Sequence, residues 1–149
     1  TPKSVKWVEK NVKMDNFIFT PLGVADRRGE REFYFPKNQN YVSGSINNIN
    51  SIEVKNSIKL NFDSLHNLML LNNHDKIDVL KMDIEGSEYE VIEHIKKHQI
   101  DIKQILVEFH PHLEIHGRMK TLKAINKLEA MGYHCYGRSD SLLEYSFIK

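Results

Sequence analysis

The chain has little of what would mark a secreted or disulfide-bonded protein. Cys135 is its single cysteine. One thiol cannot form an internal disulfide, so the fold must be stable without one. Because cysteines stay reduced in the cytoplasm, we expect a cytoplasmic protein.

Long apolar runs and a surplus of one charge are also missing. No apolar run approaches the roughly 20 residues that a membrane-spanning helix needs. The formal net charge is +1, whereas binding to phosphate backbones or anionic lipid requires clustered lysine and arginine. We therefore expect neither nucleic acid nor a membrane as a partner.

What the chain does have is the composition of an ordinary globular domain. It is 149 residues long, with 40% hydrophobic and 28% charged residues. This length is that of one domain and is enough to bury a core. We predict a single domain over residues 1–149.

Hydrophobic periodicity predicts alternating helices and strands. An amphipathic helix at 4–12 is expected to bury Trp7, and a polar turn at 26–29 is expected to join two strands as a hairpin. A long polar loop at 37–56 is either a cover for a binding site or an insertion with no role. The predicted strands are 17–25, 30–35, 57–61, 77–84, 105–109, 133–137 and 143–148. Further helices are predicted after Ser64 and after Gly86, and a last helix carries the apolar residues of 122–131 and ends at Gly132.

This order predicts an α/β fold. Strands that alternate with helices form a parallel sheet covered on both faces. The last two predicted strands are joined by a short polar turn at 139–141, which indicates one antiparallel strand at the edge of the sheet.

Acidic residues and a histidine follow two of the predicted strands. Asp83 and Glu85 end one strand, and Glu108 and His110 end the next. Ligands of such sheets bind outside the carboxyl ends of the strands, so we predict that these four side chains form a functional site. We interpret Glu88 differently, as a first-turn acid that complements the helix dipole.

Two other classes of function are compatible with the same residues. Carboxylates and imidazoles, including His112 and His116, are metal ligands and would suit a metal-dependent hydrolase. Those two histidines follow Pro111 in a predicted loop, and no zinc-type HExxH spacing occurs, so we assign no metal ligand. The third alternative is a non-catalytic partial domain that acts in binding or assembly.

Several segments, in the same order along the chain, resemble the FkbM-type family of S-adenosylmethionine-dependent methyltransferases. They are GVADRRGEREFYFP, IKLNFDSL, DVLKMDIEGSEYEVI, ILVEFHPH and EAMGYHCY. The resemblance implies a Rossmann-like sheet of seven strands, S-adenosylmethionine as cofactor, and transfer of a methyl group, commonly to oxygen, on a sugar or other small molecule.

The resemblance also implies roles for individual residues. The backbone of Val24 and Ala25 and the carboxylate of Asp26 would bind the adenine, although the Asp26 turn is equally typical of an ordinary polar loop. Asp83 and Glu85 would lie near the reactive methyl group and the acceptor. Glu108 and His110 would close the site, with His110 the first candidate for a general base because imidazole is largely neutral at pH 7.

The chain departs from the family at its start. It has no glycine-rich cofactor loop, and the family's first two strands have no counterpart in this sequence. The resemblance therefore implies an N-terminally incomplete domain with a gap at the centre of its sheet. Unpaired strand edges at such a gap would favour self-association.

Overall fold

The computed structural model describes residues 1–35, 44–47 and 57–149. Most of the predicted loop 37–56 lies outside the described residues. The fold is α/β, as predicted. Its helices are α1 (Pro2–Asn11), α2 (Leu65–Leu71), α3 (Glu88–His98) and α4 (Gly117–Ala130), with a 3-10 turn at Pro111–Leu113; its strands are β1 (Gly23–Ala25), β2 (Gly29–Tyr34), β3 (Ser57–Ser64), β4 (Ile77–Met82), β5 (Ile102–Glu108), β6 (His134–Arg138) and β7 (Glu144–Ile148).

The larger sheet has four strands in the order β4-β5-β7-β6. β4 and β5 are parallel and are linked by α3, in a register that pairs Met82 with Val107. β7 is antiparallel to both β5 and β6, as predicted for the last strand. The prediction that this strand lies at the edge of the sheet is wrong, because β6 pairs with its outer side and takes the edge position. Because β4 and β5 run the same way in this register, the residues that follow them meet at one edge of the sheet.

The smaller sheet corrects the hairpin prediction. Its order is β1-β3-β2. β1 pairs in parallel with β3, and β2 pairs with β3 in the antiparallel sense. The predicted hairpin between β1 and β2 is therefore wrong, because β3 inserts between them through a pairing that local sequence does not reveal.

The first strand is also shorter than predicted. The expected strand 17–25 is reduced to Gly23–Ala25. Phe17 and Ile18 are 45% and 67% exposed, and Pro21 lacks the N–H that a ladder needs. The aromatic and branched residues at 17–19 thus suggest a longer strand than the one that pairs with β3.

The described strands form two sheets, not one continuous sheet. Within the described residues, β4 pairs only with β5. Val79, in the middle of β4, is 52% exposed, which is unusual for a parallel strand, since such strands are normally covered on both faces. A seven-stranded sheet whose two central strands would lie between β1 and β4 stays a prediction.

The core lies between the larger sheet and the helices α2, α3 and α4. Its fully buried members include Ile95 of α3, Ile105 of β5, Leu128 of α4 and Phe147 of β7. Tyr133, buried beside them, donates its hydroxyl hydrogen bond to the carbonyl of Ile102 at 2.7 Å. The buried face of α3 and the inner face of β5 therefore belong to one hydrophobic core.

The expectation that Trp7 is a core residue is wrong. The Trp7 side chain is 61% exposed, and α1 has no buried residue. The helix itself forms as predicted, since Thr1 caps it by accepting from the N–H of Ser4 and Pro2 occupies its first turn. In the described residues, no helix has the length and apolar character needed to cross a membrane.

Three histidines come together where α2 meets α3. The rings of His94 and His98 are 4.2 Å apart between centroids, and those of His66 and His98 are 5.0 Å apart. His94 is 7% exposed, and its Nε2 has no hydrogen-bond partner among the described residues. Burial lowers the pKa of His94 below 6.5, and His98, His66 and Lys97 add to this effect against the opposing charge of Asp26.

We expect His94 to make the fold less stable in acid. The unfolded chain takes up a proton near pH 6.5 that the folded chain excludes, so stability is complete above this pH and declines as the pH falls below it. Replacing the ring by one that cannot titrate, His94→Phe, should reduce the difference between the free energies of unfolding measured in urea at about pH 7.5 and about pH 5.

The matched control is His134→Phe on exposed β6. This variant should retain the acid-side loss of the parent chain. An equal loss in the parent and in His94→Phe would show that His94 is not its source.

Candidate active site

The turn between β4 and α3 carries the first two predicted site residues. Asp83 follows directly on β4, and Glu85 takes a left-handed backbone conformation with φ of 53°. Gly86 continues the turn with φ of 103°. A left-handed glutamate is uncommon and costs about 1–3 kcal/mol, and such residues persist where the surrounding structure holds them, often at functional sites.

Residues 44–47 help to hold this turn. Ser45 is buried, and its hydroxyl donates to the carbonyl oxygen of Glu85 at 2.6 Å. Its backbone exchanges two hydrogen bonds with Tyr34 at the end of β2, while the Asn47 amide donates to Glu114 at 2.8 Å. The part of the predicted loop that the structure describes therefore contacts the turn that carries the site.

Glu88, at the start of α3, is completely buried. Its carboxylate accepts from the N–H of Ile84 at 3.1 Å and from the N–H of Gly86 at 3.0 Å and 3.2 Å. It also lies 2.9 Å from Nδ1 of His110. This carboxylate thus ties the turn after β4 to the segment that follows β5.

The prediction that Glu88 only complements the helix dipole misses its main contacts, which are the hydrogen bonds to the turn after β4 and to His110. A carboxylate accepts and does not donate, so the contact assigns the Nδ1 proton to His110 and leaves Nε2 with its lone pair in the neutral ring. The signal for burial was in the sequence, because Glu88 precedes Val91, Ile92 and Ile95 by three, four and seven residues, the spacing of one helix face.

The Nε2 atom of His110 faces three more carboxylates. It lies 3.5 Å from Glu85, 3.8 Å from Asp83 and 3.9 Å from Glu108. These separations exceed the usual 2.7–3.2 Å of a hydrogen bond. The four predicted catalytic residues, Asp83, Glu85, Glu108 and His110, are thus brought together, and we call them the His110 cluster.

Charge and burial act against each other in the His110 cluster. Burial alone lowers the pKa of His110, but the hydrogen bond to Glu88 and the charges of Glu88, Glu85 and Glu108 outweigh it and raise the pKa above 6.5. Burial raises the pKa of Glu85 above 4.5, the charges of Asp83 and Glu88 raise it further, and His110 opposes them. The site therefore favours positive charge at Nε2.

The predicted adenine contacts are not part of the His110 cluster. Asp26 follows β1, where Arg31 donates to one of its carboxylate oxygens and Arg27 lies 3.3 Å from the other. Arg31 also donates to Glu90 of α3 at 2.8 Å. Ala25 is fully buried, so any ligand contact there would be made by its backbone, as predicted for it and for Val24.

Two further histidines of the metal-site alternative take separate positions. The His112 ring lies 5.8 Å from that of His110, within the 3-10 turn. His116 precedes α4 in a left-handed conformation. Neither belongs to the group of converging ligand atoms, which consists of Asp83, Glu108 and His110.

A cleft of about 360 Å³ lies on the other side of Gly86, between α3 and α4. Its lining includes Asn47, Glu114 and Lys120, but no member of the His110 cluster. The cluster therefore opens toward solvent at the sheet edge and not into this cleft.

A parallel β-α-β unit with a histidine and carboxylates at the carboxyl ends of its strands is the usual arrangement of an α/β enzyme site. The family model of the methyltransferase FkbM domain matches residues 2–135. The chain therefore belongs to the FkbM methyltransferase family. No curated protein and no solved structure gives a significant match.

We expect Glu88→Gln to destabilise the fold by about 1–3 kcal/mol, because the amide leaves at least one buried N–H of the turn or of His110 without an acceptor. The free energy of unfolding in urea measures this loss.

Glu93→Gln is the matched control, since it makes the same change on the same helix. The Glu93 side chain is 62% exposed and pairs with Lys127, and such a pair contributes about 0–1 kcal/mol. Equal losses in the two variants would contradict the role given to Glu88.

Proposed function

We propose that this protein is an S-adenosylmethionine-dependent methyltransferase that methylates a hydroxyl oxygen of a small molecule such as a sugar. One observation carries the proposal: the His110 cluster lies at the adjacent carboxyl ends of the parallel strands β4 and β5, in a chain of the FkbM methyltransferase family. Proton acceptors and carboxylates at that position suit a polar acceptor with several hydroxyl groups.

The charge of the site fits one end of the cofactor. S-adenosylmethionine supplies, when bound, an electrophilic methyl group on a positively charged sulfonium. Asp83 is 43% exposed on its side chain, and we assign it to the cofactor's positively charged end. At the adenine end, the carboxylate of Asp26 already binds Arg31 and Arg27, so its predicted adenine contact competes with these two cations.

The remaining members of the cluster act on the acceptor. An alkyl hydroxyl is a poor nucleophile at neutral pH, and a nearby base increases its reactivity. Nε2 of His110 and the carboxylate of Glu85 are 3.5 Å apart, so a hydroxyl oxygen that contacts both can give its proton to Glu85, or to His110 when its ring is neutral. S-adenosylmethionine, when bound, would supply the methyl group to that oxygen, and the residues of the cluster would contribute mainly by aligning the acceptor.

The two alternatives use other properties of the same molecule. Hydrolysis by a metal-dependent enzyme would use the same carboxylates, but family membership favours methyl transfer. A role in assembly would use the edge of β4 that has no strand partner in the part of the chain that the structure describes. Cofactor binding separates methyl transfer from both.

Calorimetric titration of S-adenosylhomocysteine and S-adenosylmethionine tests the proposal. We expect binding to the 149-residue chain, or to a chain lengthened at its N-terminus to include the two predicted strands. Asp83→Asn should weaken the binding of S-adenosylmethionine by about tenfold or more, because a contact between charged groups contributes about 1.5–3 kcal/mol.

Asp78→Asn, at an exposed position of β4, is the matched control and should bind as the parent chain does. If neither the chain nor its lengthened form binds either compound, the protein is not an S-adenosylmethionine-dependent methyltransferase.

A further inference from the structure

The His110 cluster contains three ligand atoms that converge on one point. One atom each from Asp83, Glu108 and His110 lie within 4.8 Å of one another. Nε2 of His110 is 3.8 Å from Asp83 Oδ1 and 3.9 Å from Glu108 Oε1. Neighbouring ligands of an octahedral ion with bonds of about 2.1 Å lie roughly 3.0 Å apart, so each of the two separations from Nε2 of His110 is within about 1 Å of a coordinating value.

The histidine supplies an observation that acidic residues alone would not. His110 is 6% exposed, yet its Nε2 forms no hydrogen bond within the described parts of the chain, and its three nearest carboxylates stay at 3.5–3.9 Å. A ring nitrogen of a nearly buried side chain that faces carboxylates but is hydrogen-bonded to none of them has an available lone pair when the ring is neutral. The lone pair of such a nitrogen is satisfied only when it binds a proton or a cation.

Glu88 orients this nitrogen from the far side of the ring. Its carboxylate contacts Nδ1 at 2.9 Å and is itself held by the N–H groups of Ile84 and Gly86. A histidine that ligates a metal nearly always donates its other N–H to a carboxylate, a carbonyl or water, which fixes the tautomer and the ring orientation. The pair Glu88 and His110 has this arrangement.

We propose that Asp83, Glu108 and His110 bind one divalent cation of the Mg²⁺ or Mn²⁺ class, with Glu88 positioning the imidazole ligand. The two carboxylates are hard oxygen donors that suit these ions, the imidazole is a softer third ligand, and no thiolate is present in the set to select a softer metal. The carboxylates of Asp83 and Glu108 are 43% and 34% exposed, so they can rotate toward the ion. Solvent reaches the same side, which leaves coordination positions for water or for hydroxyl groups of an acceptor.

This inference rests on the proposed function only for the role of the ion. In methyl transfer, the ion would supply a Lewis acid that favours loss of a proton from an acceptor hydroxyl. Glu85, which is not among the three ligands and lies 3.5 Å from Nε2, would take that proton. Asp83 then has a ligating oxygen on the ion, while its other oxygen remains available to the cofactor.

The direct test is titration of Mn²⁺ alone, without cofactor or acceptor, followed by the electron paramagnetic resonance signal of the free ion. We expect one Mn²⁺ per chain, displaced by excess Mg²⁺. Glu108→Gln and Asp83→Asn should each weaken Mn²⁺ binding by at least about tenfold. Both side chains are partly exposed, so these variants should fold, and circular dichroism checks that they do.

Glu30→Gln, on an exposed position of β2, is the control and should leave Mn²⁺ binding unchanged. A second readout is the thermal midpoint, which Mn²⁺ should raise in the parent chain and in Glu30→Gln but not in Glu108→Gln, because a ligand stabilises only the state that binds it. Failure of Mn²⁺ to bind, or binding that Glu108→Gln leaves intact, would overturn the proposed cation site.

The outcome is separable from that of the proposed function. Titration of S-adenosylhomocysteine in the presence of a chelator reports on the cofactor alone. Cofactor binding together with no Mn²⁺ binding would reject the cation site and keep the methyltransferase. Mn²⁺ binding at the three residues, together with no cofactor binding by the chain or by its lengthened form, would keep the cation site and reject the methyltransferase, which would then favour the hydrolase alternative.

Discussion

A single buried carboxylate holds the site together. Taking a charged group out of water is costly unless hydrogen bonds replace those that water made. Glu88 meets this condition with the N–H groups of Ile84 and Gly86 and with the ring of His110. Because these partners come from the turn after β4 and from the segment after β5, one side chain fixes the two strand ends relative to each other. The left-handed backbone of Glu85 is held in place between them.

The same arrangement sets the electrostatics of the site. Glu88, Glu85, Asp83 and Glu108 surround one imidazole. Lys81, which is 69% exposed, lies 3.9 Å from Asp83. Carboxylates this close repel one another, and an exposed lysine screens that repulsion only weakly. The site therefore stabilises positive charge brought from outside. A sulfonium, an ammonium and a divalent cation are all positively charged groups that this site would stabilise. They differ in which carboxylate oxygens would contact them.

Local sequence patterns predicted the part of the fold that local contacts determine. The unit from β4 through α3 to β5 follows from two short apolar runs on either side of an amphipathic helix, and its parallel pairing follows from the crossover connection. The positions of Asp83, Glu85, Glu108 and His110 at one sheet edge came from the same argument. The cluster was thus predictable as a neighbourhood of residues, although its distances were not.

The errors concern contacts between distant segments. β1 and β2 are close in sequence and have a polar turn between them, yet each pairs with β3, more than twenty residues further along the chain. Glu88 was misjudged for a related reason. The dipole explanation needs only its own helix, whereas its true partner, His110, is 22 residues away. The apolar stripe that starts with Glu88 indicated burial, but only the fold shows what the buried carboxylate binds.

One departure from the expected pattern bears directly on the site. Strand β4 reads as buried on both faces, but Val79 and Lys81 are exposed and Asp83 after them is exposed as well. Residues two apart on a strand point to the same side, so these three belong to one face of β4 that is open in the described part of the chain. Leu80 and Met82, on the opposite face, are more buried. The catalytic candidate Asp83 thus lies on the same exposed face as the apolar Val79 and the charged Lys81. Any layer that covers Val79, whether further strands or a second molecule, would border the His110 cluster and help to shape what enters it.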